Sequence, residues 1–252
     1  MGEVSAISWT DSTFNPWIGC TRLSPACDHC YAARDNDRHH WVASWSVGVA
    51  RYRTSAGYWE NPSRWNRKAA RTGFRPRVFC ASYADVFDNE VPDAWRADLW
   101  EVIRATPLLH WMLLTKRIGK APKMLPPDWP LPHVGLMATL ANQTEWDRDF
   151  PKLMAVPAAW HGVSCEPLLG LIDIGDAEPD WLITGGESGP GFRPLDMDAV
   201  RSLRDQCARN GIAFHHKQNG VLRGKASGCL VDGVEHKNFP PMLRTGDAEL
   251  AR

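Results

Sequence analysis

The chain has 252 residues, 44% hydrophobic and 23% charged, which is ample for one large α/β domain and too apolar for a disordered chain. Lys plus Arg and Asp plus Glu number 29 each, so net charge singles out no partner and any nucleic-acid surface has to be a local patch. No stretch approaches the roughly 20 apolar residues that cross a bilayer, and MGEVSAISWTDSTF has no basic segment ahead of an apolar run. Seven cysteines, an odd number, argue against a secreted disulfide framework, so the expectation is a cytoplasmic protein with reduced thiols and no membrane contact.

In chain order, the first stretch that bears chemistry is GCTRLSPACDHCYAAR, which holds Cys20, Cys27 and Cys30 and leads into the first turns of a helix. An insertion over 40–76 follows, rich in Arg and Lys, with Trp41, Trp45, Trp59 and Trp65 interleaved. Arg64, Trp65 and Arg67 are its candidates for contacting phosphates and bases. The alternative is that the tryptophans cover the open side of a barrel while the arginines face solvent. Apolar runs then recur with polar or Gly-containing ends: RVFCAS (77–82), LHWMLLT (109–115), HVGLMAT (133–139), AWHGVSC (159–165), DWLITGG (180–186) and IAFHHKQ (212–218). Between them, PDAWRADLWEVIRAT places Trp95, Leu99, Val102 and Ile103 on one helical face behind Pro92. ANQTEWDRDFPKLMAV is a helical pattern interrupted by Pro151. DMDAVRSLRDQCARNG opens on a capping Asp and stops at Asn-Gly.

Six or seven such units predict the α/β class, built as a full or partial (β/α) barrel around a parallel sheet. The lack of G-x-G-x-x-G after the first strand argues against a flat dinucleotide-binding sheet. The barrel is expected over 1–222, and 223–252, with prolines and scattered charges, reads as a loose C-terminal extension.

Barrel chemistry sits on the loops leaving the C-terminal ends of the strands. Here those ends read SYADVFD, TKR, TLANQ, CEPLLG, GGESGPG and KQNG, a polar rim with one mouth. Lys116 and Arg117 put a fixed cation at the mouth that suits a carboxylate or phosphate, with Lys116 also a candidate catalytic residue and Arg117 a bidentate grip; the alternative is a solvated helix start. Glu166, aimed by Pro167, is a candidate catalytic carboxylate. Cys165 is either a buried thiol or a hydrogen-atom donor to a product radical. Thr139, Asn142, Glu187 and Lys217 are candidate cofactor contacts. His215 and His216 fall on opposite faces of a strand and make no ligand pair.

The cysteine spacing is Cys-x6-Cys-x2-Cys. Three thiolates on a loop entering a helix can hold three irons of a [4Fe–4S] cluster and leave the fourth to a ligand such as S-adenosylmethionine, with His29 placed to pack near its adenine. A zinc ion completed by His29, His39 or His40 fits the same spacing.

The chain resembles a phage-associated family of three-cysteine proteins of unknown function, related to the radical S-adenosylmethionine superfamily. The resemblance spans roughly residues 8 to 220. It is carried by TFNPWIGCTRLSPACDHCYA, RVFCASYADVFDNEVPD, LLTKR, VSCEPLLG, WLITGGESGPGFRPLD, VRSLRDQC and FHHKQNG. It implies a radical-SAM-like TIM barrel with a [4Fe–4S] cluster on Cys20, Cys27 and Cys30 and S-adenosylmethionine as cofactor. It also implies a flavodoxin- or ferredoxin-like electron donor and a hydrogen-abstracting radical. The Arg/Trp segment makes a nucleic-acid base or nucleoside the expected substrate, and the rival is a non-catalytic, zinc- or cluster-stabilised nucleic-acid-binding barrel. Two features depart from the superfamily. Its first cysteine gap is x3, not x6. Its Gly-Gly-Glu segment follows the cluster closely, whereas Gly185-Gly186-Glu187 ends a late strand, so the cofactor's amino group is assigned instead to Ser82 and Asp85.

Overall fold

Each of the six apolar runs becomes a strand that is largely buried on both faces, as in a parallel sheet with helices outside and its other face turned inward. The computed structural model describes residues 4–220 and 228–244; the expectations for 223–227 and 245–252 lie outside them. A two-residue strand, β1 (Ser12–Thr13), precedes the cysteines, and β2 (Trp17–Ile18) pairs antiparallel with β3 (Tyr52–Arg53). Then come β4 (Arg77–Cys80), β5 (His110–Thr115), β6 (Val134–Thr139), β7 (His161–Cys165), β8 (Trp181–Thr184) and β9 (Ala213–His216). One parallel sheet runs β1-β4-β5-β6-β7-β8-β9. Its terminal strands β1 and β9 do not pair, so of the two expected forms the chain adopts the partial barrel.

The helices are α1 (Tyr31–His39), α2 (Ala56–Trp59), α3 (Asn61–Thr72), α4 (Asp93–Arg104), α5 (Gln143–Met154) and α6 (Met197–Asn210). Local chemistry sets their ends. Asp196 accepts from the Asp198 and Ala199 amides to start α6, and Gly211, at φ +70°, stops it. Pro151 lies in the last turn of α5, where it removes one amide donor without breaking the helix. The insertion contributes α3, a helix the sequence reading did not anticipate. It buries Trp65 and Ala69 and serves as the crossover from β1 to β4.

Period-two alternation sorts the strand residues into two cores. Val78, Cys80, Leu113, Leu136, Ala138, Val163, Cys165, Leu182 and Phe214 face the helices. Phe79, Met112, Met137, Trp181 and Ile183 fill the barrel interior with Trp9, Trp160, Phe239 and Leu243. The last two belong to the expected loose extension, which is packed over 228–244. The β10 (Leu230–Val231) and β11 (Val234–Glu235) hairpin precedes a segment lying antiparallel to β9, with His216 N donating to His236 O at 2.8 Å and Asn238 N to Phe214 O at 3.2 Å. That segment covers the edge β9 would otherwise expose. The barrel floor is therefore closed, and the strand ends opposite it form the mouth.

Gly135 shows how tight that floor is. A Cβ there would stand 2.0 Å from Cε2 of Trp160, whose ring is buried and packs edge-on to Trp181 at 6.1 Å. Overpacked cores lose about 1–3 kcal/mol and occasionally more. Gly135→Ala is therefore expected to cost about 3 kcal/mol in urea unfolding. A loss below about 1 kcal/mol would show that Trp160 has another place to go.

Candidate functional site

A cavity opens at the C-terminal ends of the strands. The same alternation that builds the cores decides what lines it. Leu114 on β5 and Lys116 just after it, Thr139 on β6, Ser164 on β7 and Glu166 just after it, and Lys217 just after β9 face inward; Ile7, Trp9 and Phe79 line its apolar side. Cys20, Cys27, His29 and Cys30 form the opposite wall, with Ser82, Asp85 and Glu187 also on the lining. Eleven of the residues picked from sequence thus meet at one mouth: the three cysteines, His29, Ser82, Asp85, Lys116, Thr139, Glu166, Glu187 and Lys217.

The cysteine loop is held from below by two arginines. Gly19 leaves β2 at φ +115°, and a Cβ there would meet Arg51 Cδ at 2.9 Å. Arg51, with no exposed side-chain surface, donates to Asp88 Oδ2 (2.9 Å), Glu90 Oε2 (2.7 Å) and Thr21 Oγ1 (2.6 Å). Arg117 donates to Thr21 O at 3.1 Å and lies 3.8 Å from Cys20 Sγ. Burial, helped by the Asp85 carboxylate, pushes the Cys20 thiol up to about 12, and the Arg117 guanidinium opposes that rise. Further on, Ser24 caps a short 3-10 turn, Pro25–Cys27, and Cys30 occupies the N-cap of α1 without using its thiol as a cap. Tyr31 Oη donates to Ser82 O (2.7 Å) and Tyr83 Oη to Asp35 Oδ2 (2.8 Å), which ties α1 to the β4 exit.

From above, the loop is clasped by the segment after β8. Glu187 is buried and accepts from Arg193 N at 2.8 Å and from its guanidinium. That guanidinium also donates to Pro25 O (2.8 Å) and Asp28 Oδ2 (3.3 Å), and Arg34 donates to Ser188 O (3.1 Å). The two glycines before Glu187 are there for space. A Cβ on Gly185 would press on Glu166 Cγ at 3.2 Å, and one on Gly186 would strike the Gly220 backbone N at 2.6 Å. Without a side chain at 185, Lys217 at the end of β9 reaches over to ion-pair with Glu166 at the end of β7.

Several expectations are corrected. Cys165 faces the helix layer, fully buried, with its thiol pushed up by burial, because its neighbours Ser164 and Glu166 point inward; it cannot reach a product radical. Asn142 accepts from Glu145 N as the cap of α5 and is not on the cavity. Arg117 sits behind the cysteine wall instead of gripping a substrate. Trp65 is buried in the core and unable to stack on a base; Arg64 pairs with Glu60 on the surface, and Arg67 is an exposed side chain beside it. Asp85 lines the cavity, but its oxygens already accept from Thr115 Oγ1, Phe87 N and Lys116 N. Sequence reading missed Arg51, Arg193, Arg34 and Ser164, and took Trp45 only as one ring of the Arg/Trp segment. Alternation from Glu166 would have found Ser164; the others depend on tertiary contacts.

The donor set suits a thiolate-held group: three cysteines, none in a disulfide, share one cavity wall. Their side chains are not gathered onto one point, and among the described residues no three His, Cys, Asp or Glu side chains are arranged to hold a metal ion. Among the same residues no helix is long and apolar enough to cross a membrane.

Comparison with known proteins shows the family. A model described as Protein of unknown function (DUF5131) matches residues 4–240, and the chain belongs to that family. No curated protein and no solved structure matches it.

Removing one member of a buried ion pair strands the other and costs about 3–5 kcal/mol. Arg51→Met should lose that much in urea unfolding, because Asp88 is left buried, and should speed labelling of Cys20 by a maleimide. Unchanged labelling would mean that Arg51 does not hold the loop.

Proposed function

We propose that this family member binds a [4Fe–4S] cluster through Cys20, Cys27 and Cys30 and S-adenosylmethionine in the adjoining cavity, and acts on a substrate held in the same space. One observation carries the reading: the three closely spaced cysteines, alone among the seven, line the mouth of a parallel β/α partial barrel. When bound, the pair would supply one-electron reductive chemistry that ends in abstraction of a hydrogen atom, with electrons from a flavodoxin- or ferredoxin-like donor.

The chain's own residues supply the setting for that chemistry. Arg51 and Arg117 fix Thr21, and so Cys20; Arg193 fixes Pro25 and Asp28, which flank Cys27. Ile7, Trp9, Phe79 and Leu114 keep water from the deep end of the cavity. Glu166, steadied by Lys217, and the Ser82 hydroxyl offer acceptors for an amino group; the crowded Asp85 oxygens do not. A nucleic-acid base or nucleoside remains the proposed substrate, and Trp45 at the mouth, not Trp65, is the ring on which a base would stack.

The test is anaerobic purification and reconstitution with iron and sulfide. About four irons per chain are expected, lost in Cys27→Ala, and dithionite with S-adenosylmethionine should release 5′-deoxyadenosine. One zinc per chain with no iron would overturn the proposal in favour of a zinc-stapled barrel. Iron without deoxyadenosine would overturn the catalytic part and leave an electron-transfer or sensing role.

A further inference from the structure

Lys116, just past the end of β5, stands beside Thr139 on β6 and Ser164 on β7. Thr115 pairs with Ala138, which sets Lys116 beside Thr139, and Thr139 pairs with Ser164. All three line the cavity. Thr139 is 5% exposed and Ser164 1%, yet among the described residues neither hydroxyl, nor the Lys116 ammonium, has a hydrogen-bond or ion-pair partner.

The other charged groups on the lining are already satisfied. Glu166 holds Lys217, Glu187 holds Arg193, Arg22 holds Asp28, and Asp85 is bonded to Thr115 and two amides. Lys116 is the one charged side chain on the lining left without a counter-charge among the described residues. A half-buried ammonium without a counter-charge is costly, and the two hydroxyls face the cavity with no protein partner, free to donate to a ligand. An anionic oxygen group placed against this row removes that cost, with the ammonium neutralising it and both hydroxyls donating to it. Below the row lie Leu114, Phe79 and Trp9, which suit a flat apolar body and offer no other charge.

We propose that Lys116, Thr139 and Ser164 form a binding pocket for a carboxylate or phosphate carried by a substrate with a planar apolar body. The inference rests on the reading of this cavity as the substrate cavity. It narrows the role of Lys116 to anion binding, and it adds Thr139 and Ser164 as its hydroxyl partners.

Phenyl phosphate, benzoate and uncharged benzyl alcohol, each titrated into the full-length protein and followed by ligand-observed NMR, test it without iron or S-adenosylmethionine. Either anion should bind at least about tenfold tighter than benzyl alcohol, a margin that Coulomb attraction to one half-buried cation readily supplies. The tighter of the two anions identifies phosphate or carboxylate as the natural group. Lys116→Met should abolish the preference, Lys116→Arg should keep it, and Ser164→Ala or Thr139→Val should weaken anion binding several-fold without affecting benzyl alcohol. Equal binding of charged and uncharged probes, or a preference that survives Lys116→Met in a protein that still unfolds cooperatively, would overturn the pocket. Because no cluster is involved, failure of iron reconstitution with the anion preference intact would sink the proposed function alone.

Discussion

A buried ion pair, Arg51 with Asp88, is the constraint on which the mouth of this barrel depends. Neither side chain has appreciable exposed surface, and desolvating two charges rarely leaves a net gain in stability. What the pair supplies is position. Asp88 and Glu90 lie beyond the β4 exit, Arg51 arrives from the insertion, and Thr21 belongs to the cysteine loop, so one guanidinium joins three segments far apart in sequence. Arg117, from the β5 exit, adds a second grip on Thr21 and approaches the carboxylates of Asp85 and Asp88. The insertion therefore matters less as a surface than as the carrier of Arg51.

The second constraint is the strict alternation of side chains along the strands. Because Leu114 faces inward, Lys116 does too; because Ser164 and Glu166 face inward, Cys165 cannot. Glycine extends this logic. At 185 it leaves room for Glu166 and Lys217 to meet across β8, and at 186 it lets the Gly220 backbone pass within contact distance. The Gly-Gly-Glu segment is thus a spacing device for the barrel mouth, with its glutamate turned toward Arg193 and the cysteine loop.

Much of this was legible in the sequence, and the boundary is physical. The six long strands announce themselves as apolar runs because burial on both faces demands it, and the ends of α4 and α6 are written in Pro92, Asp196 and Gly211. The polar strand ends correctly gave much of the polar side of the cavity lining. Reading them as a row of letters was the error, since period two alone separates Ser164 from Cys165. The capping role of Asn142 was also present in its spacing from Glu145. By contrast, α3 was masked by its arginines, which gave the segment the look of a nucleic-acid surface while its one buried stripe, Trp65 and Ala69, packed on the core. Arg51 and Arg193 carry no local signal, because their meaning lies wholly in partners brought near by the fold.

The six-residue gap between Cys20 and Cys27 is held by the same contacts. A short gap can fix two thiols through the loop's own backbone; six intervening residues cannot, since their conformational freedom is large. Here that freedom is removed from outside. Thr21, at one end of the gap, is pinned by Arg51 and Arg117 from the β3–β5 side. Pro25, near the other end, is pinned by Arg193 from the β8 side, and Ser24 closes the turn between them. The loop is therefore strung between two separated parts of the sheet, and the separation of Cys20 from Cys27 is set by the barrel more than by the residues that link them. Changes at the exposed Leu23 should then be tolerated where changes in Thr21, Arg51 or Arg193 are not, because Leu23 only fills the span and the others define it.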